Sequence, residues 1–216
     1  MADSYLYKGT NVLINKLNIR DLEILNQAEA DFTVQRLVTV DDEIDIKEFD
    51  FEHMKKIHKH IFQDLYHWAG EIRTINMKKA EFVLDGMSVE YSDFSLIKTD
   101  IEKAINKLNR INWDEMPLDR KAKEFTEIIA EIWKVHPFRE GNTRTTMKFA
   151  CQYAEHHGFP MKETLFEKNS KYLRDSLVLA SIGQYSENDY LEKIVKRSME
   201  IGVKESKRTL EYDYDR

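Results

Sequence analysis

The chain has 216 residues, of which 42% are hydrophobic, and this suits one globular domain, or one domain with an attached arm, with a sizeable core. Its 33 basic and 39 acidic residues give a net charge of -6, which argues against a general nucleic-acid binder, and no apolar run is long enough to predict a membrane span. The start lacks the pattern of a secretory signal, and the single cysteine, Cys151, excludes a disulfide framework and favours a reducing, cytoplasmic setting.

The first part of the chain predicts helices. Only 7 glycines and 3 prolines accompany long 3.6-residue periodicities, which indicates a mainly α protein. An N-terminal arm, residues 1–18, precedes an amphipathic helix predicted at 19–37, and the acidic stretch 40–50 is expected to be a loop. A second helix is predicted at 51–68, ended by a glycine. Its core-facing residues are expected to be Met54, Ile57, Ile61 and Leu65.

A different pattern follows at 73–91. The β-forming stretches EFVL and MSVEY flank Asp85-Gly86, a turn signal, so a small β-hairpin flap is predicted. Residues 19–207 are assigned to one domain, and residues 208–216 to an acidic, flexible tail. The remaining helices are predicted at 92–111, 118–135, 143–157, 162–182 and 187–206.

Three histidines lie on the second predicted helix. His53, His58 and His60 are five and two residues apart, which is not the i, i+3 or i, i+4 spacing that places two metal ligands on one helical face. Structural use is therefore expected for all three, with His53 and His60 exposed on the helix surface.

The stretch HPFREGNTR, residues 136–144, joins two predicted helices. Because Pro137 disfavours α geometry in the residue before it, the preceding helix is expected to end near Val135, and His136 is expected to be extended with its ring facing a cleft. Gly141 permits a close backbone approach or an unusual dihedral angle. Asn142 is a favourable N-cap for the next helix.

The same nine residues combine the groups needed to handle phosphates. Free N–H groups and the dipole at a helix N-terminus form an anion site, and Arg144 in the first turn suits phosphate oxygens. Glu140 supplies a hard oxygen ligand for a Mg²⁺ that bridges phosphates. With His136 as general base, this conjunction predicts nucleotidyl or phosphoryl transfer, although each feature alone is commonly structural.

HPFREGNTR resembles the signature of the Fic family, H-P-F-x-[D/E]-G-N-x-R. The segments YLYKGTNVLINKLNIRD and IFQDLYHWAGEIRTINM are also similar to segments of bacterial Fic proteins. The resemblance implies a Fic-fold helical bundle with a β-hairpin flap beside the active site. It also implies a protein adenylyltransferase (AMPylator), a transferase that moves AMP from ATP to a Tyr, Ser or Thr hydroxyl of a target protein in the bacterial cytoplasm.

The resemblance implies a role for each motif residue. His136 would accept the proton of the target hydroxyl, Glu140 would hold Mg²⁺, and Phe138 would anchor the loop in the core. Arg139 falls at a variable position of the signature and is expected to be exposed. The nucleotide- and phosphate-binding residues would be Phe138, Gly141, Asn142, Thr143 and Arg144.

The flap would bind the target. In the family, a hairpin beside the motif pairs with an extended target segment by strand addition, which here implies a flap of about Thr74 to Tyr91. The alternative is a flap that merely covers the core. The docking residues would be Thr74, Ile75, Asn76, Met77, Lys78 and Phe82.

Two departures from the family pattern keep alternatives open. Thr143 stands where the signature commonly has Gly, and Met147 stands where many relatives have a second Arg. Weaker activity, transfer of another phosphate-containing group, or a catalytically inert interaction module are therefore retained as alternatives. No complete copy of the inhibitory [S/T]-x-x-x-E-[G/N] motif is present, so regulation by a small antitoxin protein is expected, as in toxin–antitoxin pairs. No direct nucleic-acid or membrane partner is expected, and the oligomeric state is open.

Overall fold

The computed structural model describes the backbone of residues 3–214 and the side chains of residues 3–208. Within these bounds the chain forms eight α-helices and two short 3₁₀ turns, Phe82–Leu84 and Gly183–Tyr185. None of the helices described is long and apolar enough to cross a membrane. The helices are α1 Leu22–Glu43, α2 Phe51–Phe62, α3 Ile97–Asn109, α4 Leu118–Val135, α5 Asn142–His156, α6 Glu163–Lys168, α7 Ser170–Leu179 and α8 Asp189–Tyr214.

The mainly α prediction is confirmed, and several of the predicted helix bounds differ from those of the structure. The helix α1 continues to Glu43, through the first part of the expected loop, because Asp41 accepts hydrogen bonds from Lys148 and Gln152 at 2.6 and 2.8 Å. The helix α2 ends at Phe62, six residues before the predicted end. The predicted helix at 162–182 is divided at Asn169 into α6 and α7.

The core forms between α1, α2 and α5 on one side and α3, α4 and α8 on the other. The four residues predicted to face the core from the second helix are all buried. So are the three histidines of α2, and the expectation that His53 and His60 are exposed was wrong: His53 bonds Gln152, and His60 bonds Thr39. Hydrogen bonds between buried polar side chains thus join α2 to α5 and α1, in addition to the apolar contacts between these helices.

Both the N-terminal arm and the C-terminal part of the chain have defined backbone structure within the described residues. The arm doubles back at 7–12, where Tyr7 N–H donates to Val12 C=O and Ile14 N–H donates to Tyr5 C=O. Residues 1–2 lie outside the described part. The helix α8 runs to Tyr214, so the boundary predicted at 208 falls inside a helix.

The flap turns where the sequence predicts, but without a ladder of strands. Asp85 and Gly86 both have positive φ, 52° and 86°, and Glu81 N–H donates to Met87 C=O across the turn. Between residues 3 and 214 the only bridge of β type joins Leu6 and Leu13 in the arm. The flap is an irregular loop with a 3₁₀ turn at its tip, held mainly by side chains.

Candidate active site

Residues 136–141 connect the end of α4 to the start of α5. His136 is not extended, as the proline rule suggested; it is left-handed, with φ 52° and ψ 59°. Both conformations avoid the α geometry that Pro137 disfavours. Tertiary contacts select the left-handed one, since His136 N–H donates to Trp133 C=O at 3.1 Å and its own C=O accepts from Arg73 Nε at 2.8 Å.

The ring of His136 is fully buried, so the expectation of a ring facing an open cleft was wrong. It stacks on Tyr91 of the flap, with centroids 4.0 Å apart, and meets Trp133 edge-on at 5.2 Å. Neither ring nitrogen has a hydrogen-bond partner among the described residues. Burial, and then the charges of Lys79 and Arg174, lower the pKa of His136 well below its ordinary value, so the imidazole is neutral.

The side chain of Asn142, at the start of α5, bonds the backbone of Phe138 within the loop. The prediction that Asn142 caps the helix was wrong. Its Oδ1 accepts from Phe138 N–H at 2.9 Å, and its Nδ2 donates to Phe138 C=O at 2.8 Å. The N-cap is Gly141, without a side-chain bond. The N–H groups of residues 142–144 therefore have no hydrogen-bond partner within the described chain. They form the unpaired end of a helix dipole that favours anions.

Gly141 is required at its position for two reasons. Its φ is +78°, and an added Cβ would lie 2.1 Å from Phe62 Cζ. His58 fixes the neighbouring carbonyl: Gly70 N–H donates to its Nδ1 at 2.8 Å, so its Nε2–H donates to Glu140 C=O at 3.0 Å. Burial, above all, lowers the pKa of His58 to about 3, which keeps this tautomer neutral.

The carboxylate of Glu140 is ionised and is paired with a flap cation. Lys79 Nζ lies 2.9 Å from Oε2, and Gly141 N–H donates to Oε1 at 3.0 Å. Burial raises the pKa of Glu140, but Lys79 and the Gly141 N–H outweigh it and lower the pKa to about 2. No cluster of three or more His, Cys, Asp or Glu that could hold a metal occurs in the described residues. One ionised carboxylate beside a phosphate site nevertheless fits Mg²⁺, which commonly uses one or two carboxylates plus substrate phosphates.

Arg144, the arginine in the first turn of α5, points towards α1. The guanidinium of Arg144 pairs with Glu29, bonds Thr33 Oγ1 at 2.9 Å and lies 4.8 Å from the centroid of the Phe62 ring. Met147 is buried and borders an apolar cavity of about 120 Å³ that residues of α1, α5, α6 and α7 line.

Thr143 lies inside the helix and does not need a positive φ. The β-branched side chain therefore causes no backbone strain in place of the usual Gly. Its Oγ1 accepts a hydrogen bond from Trp133 Nε1 at 3.0 Å.

Most of the predicted docking residues border one open groove of about 580 Å³ beside the loop, which Phe94 and Lys79 also border. Phe82 stands apart at the flap tip, 88% exposed. Arg139 borders the groove as well and is not simply exposed: it bonds Asp3 at 2.7 Å, and its buried Nε has no partner in the described chain. The docking residues at the groove are Thr74, Ile75, Asn76, Met77 and Lys78.

Sequence reasoning missed several side chains of this site, among them Lys79 and Tyr91 of the flap, Arg73, Arg174 and His58. Arg73 is buried and bonds the carbonyls of His136, Ile75 and Ser92, and so joins the motif to the base of the flap. Arg174 comes from α7, and its Nη1 lies 3.4 Å from Thr143 Oγ1. His58 was assigned only a general structural use. The lone Arg in the quoted segment GEIRTINM was the available signal for Arg73; residue 174 had none.

A helical bundle whose motif loop places a neutral imidazole, an ionised carboxylate and free helix N–H groups side by side defines a phosphate-handling site. A family model described as Fic/DOC family matches residues 48–154. The chain is 30% identical to the "probable protein adenylyltransferase y4lH" of Sinorhizobium fredii, over 77% of this chain and 83% of that protein. It is 31% identical to the "probable protein adenylyltransferase Fic" of Escherichia coli, over 78% and 80%. The chain therefore belongs to the Fic/DOC family.

Other matches support the fold and differ in length. The protein adenylyltransferase VbhT of Bartonella schoenbuchensis is 29% identical over 91% of this chain, which spans only 39% of the length of VbhT. The solved structure of BepC from Bartonella tribocorum, with bound AMPPNP, superposes with a TM-score of 0.73 at 22% identity, over 90% of this chain and 95% of that one. At this identity the likeness shows the Fic fold.

Proposed function

We propose that this protein is a protein adenylyltransferase that transfers AMP from ATP to a hydroxyl side chain of a target protein. The observation that carries the proposal is the single loop that holds the neutral, unpaired ring of His136 and the ionised Glu140 and leads directly into the free N–H groups of α5. Relatives named as adenylyltransferases at about 30% identity support the same chemistry.

His136 is the general base of this mechanism. A neutral imidazole can accept the proton of the target hydroxyl as its oxygen attacks the α-phosphate, and pyrophosphate leaves. Tyr91 now covers the ring, so the flap has to move before the hydroxyl can reach a ring nitrogen. Arg73 keeps the backbone of His136 in place during that movement, since it bonds the carbonyl from the buried side.

The phosphates bind at the start of α5. The N–H groups of residues 142–144 donate hydrogen bonds to the anionic oxygens, and Arg144 supplies positive charge once it leaves Glu29. Glu140 would hold Mg²⁺ after Lys79 moves away; bound there, the metal neutralises charge on the phosphates. Asn142 and His58 hold the loop and do not react, because their polar atoms are already bonded to it.

The target segment binds in the groove beside the flap. The backbone of residues 76–78 has no hydrogen-bond partner in the described chain, and this extended edge can pair with a target strand. Lys78, Lys79 and Arg139 border the groove, and this positive charge favours acidic residues near the modified hydroxyl. A small antitoxin and a cytoplasmic location belong to the proposal as expectations from the family resemblance.

Labelled ATP tests the proposal. Incubation with Mg²⁺ and ATP labelled at the α-phosphate is expected to label the protein itself or a target, with a mass gain of one AMP. His136→Ala is expected to remove the label. Label from the γ-phosphate alone would indicate a kinase instead, and no label in a chain that binds ATP would reject transfer.

A catalytically weak interaction module is the second candidate. Three observations favour it: the His136 ring is covered, Glu140 is paired with Lys79, and Arg144 is paired with Glu29. ATP binding without transfer, retained in His136→Ala, would support this candidate.

A further inference from the structure

Arg174 is a cation beside the start of α5 that has no assigned role. It comes from α7, outside the motif, and its guanidinium lies 5.1 Å from the centroid of the Trp133 ring. Its Nη1 is 3.4 Å from Oγ1 of Thr143, within the first turn of α5 where the N–H groups are free. The pKa of His136 is lowered by its charge, after burial and Lys79, so the guanidinium is also close to the proposed base.

The present partner of Arg174 is a flap carboxylate. Both oxygens of Glu81 accept from the guanidinium, and Tyr91 Oη donates to the same carboxylate at 3.2 Å. Arg174 is 27% exposed and Glu81 is 9% exposed, so the pair lies at the edge of the buried site. Tyr91 is the residue that stacks on His136.

The two cations at the start of α5 are arranged alike. Arg144 is held by Glu29 on the side of α1, and Arg174 is held by Glu81 on the side of the flap. A guanidinium paired with a carboxylate has the geometry that also binds phosphate, with two parallel N–H donors. A phosphate at the free N–H groups would therefore compete with Glu81 for Arg174.

We propose that Arg174 is a phosphate-binding residue of this site, which exchanges Glu81 for the nucleotide when ATP binds. The exchange frees Glu81 and its partner Tyr91 and thereby loosens the part of the flap that covers His136. The proposal rests on the proposed function, because it requires that ATP binds at α5. Arg174 would thus be a second phosphate-binding arginine beside Arg144. It comes from α7, whereas the position on α5 where many relatives have a second Arg carries Met147.

Calorimetric titration of the full chain with ATP plus Mg²⁺, and separately with adenosine, tests the exchange. Arg174→Gln is expected to weaken ATP binding about tenfold or more, as loss of a charged hydrogen bond does, and to leave adenosine binding unchanged. Arg174→Lys should recover part of the affinity. Arg197→Gln, an exposed arginine on α8, is the matched control and should bind ATP like the wild type.

Glu81→Gln separates phosphate binding from mere support of the flap. If Glu81 competes with phosphate, this variant binds ATP several-fold more tightly than the wild type. If the ion pair only supports the flap, Arg174→Gln and Glu81→Gln weaken ATP binding alike, and the proposal is overturned. The sign for Glu81→Gln decides the question even if Arg174→Gln does not fold.

Absence of the proposed nucleotide site gives a different result. In that case the wild type and Arg197→Gln would bind no ATP, and both the nucleotide site and the role of Arg174 would be rejected. A wild type that binds ATP, with Arg174→Gln binding it equally well, would reject the role of Arg174 alone.

Discussion

The motif loop and the flap form opposite walls of the same site and are built in different ways. The loop, residues 136–141, is held by buried hydrogen bonds from Asn142, His58 and Arg73. The flap, residues 73–91, is tied by ion pairs: Lys79–Glu140 joins it to the loop, and Glu81–Arg174 joins it to α7. Phosphate can replace the carboxylate that pairs with an arginine, and Mg²⁺ can replace the lysine that pairs with a carboxylate. Neither ligand replaces the hydrogen bonds within the loop, so the loop can keep its geometry while the flap responds to ligands.

The largest expected effect removes the chemical group of the loop. His136→Ala is expected to lower the rate of AMP transfer by about 10²–10⁴-fold, the usual contribution of a general base. ATP affinity should stay within about twofold, because the anion site is backbone. Rates of labelling from the α-phosphate and calorimetric ATP titration measure the two quantities. A variant that transfers AMP at the wild-type rate would remove His136 from the mechanism.

Glycine-to-alanine changes compare the packing of the two walls directly. Gly141→Ala in the loop places a Cβ 2.1 Å from Phe62 at φ +78°, so the free energy of unfolding should fall by about 2–5 kcal/mol. Gly86→Ala in the flap has φ +86° with no atom within 4 Å of the added Cβ, and a loss of only about 1–2 kcal/mol is expected. Denaturant unfolding measures the loss of unfolding free energy for each variant. Equal losses would show that the loop is not packed more tightly than the flap.

The buried, neutral His58 predicts that the free energy of unfolding depends on pH. His58 has a pKa of about 3 when folded and about 6.5 when unfolded, so between these values the unfolded chain binds the extra proton. Stability from this residue is therefore complete above pH 6.5 and declines as the pH falls, by about 2 kcal/mol at pH 5.

Unfolding free energies from pH 7 to pH 5 measure this slope. Glu140, with a pKa of about 2, is lowered instead, and its contribution is lost only as the pH falls from about 4.5 towards 2. His58→Gln should reduce the slope above pH 5, and part of the remaining slope comes from His136, whose pKa is also lowered by burial. An unchanged slope in this variant would mean that His58 takes up its proton in the folded state.

The smallest effect on stability is expected at the flap tip. Phe82 is 88% exposed, so Phe82→Ala should change the free energy of unfolding by less than about 0.5 kcal/mol. Labelling of target proteins should fall several-fold relative to self-labelling, because an exposed aromatic at the flap tip is suited to contact a partner. Tyr185→Ala, 71% exposed at the other 3₁₀ turn, is the control and should change neither quantity.

The sequence by itself determined the helical class, the bounds of α4, the buried face of α2 and the chemistry of residues 136–144. These follow from local rules: periodicity selects the buried face, Pro117 and Pro137 bracket α4, and only glycine accepts the backbone of residue 141. The Fic/DOC family followed from the same nine residues.

Only the tertiary structure decided which conformation and which partners these residues adopt. The left-handed backbone of His136 depends on Arg73, the ring is covered by Tyr91, and Arg139 is held by the arm. The pairs that occupy the two cations, Glu29–Arg144 and Glu81–Arg174, join residues 115 and 93 positions apart. No local propensity encodes such pairs, because their energies arise only after burial brings the charges together.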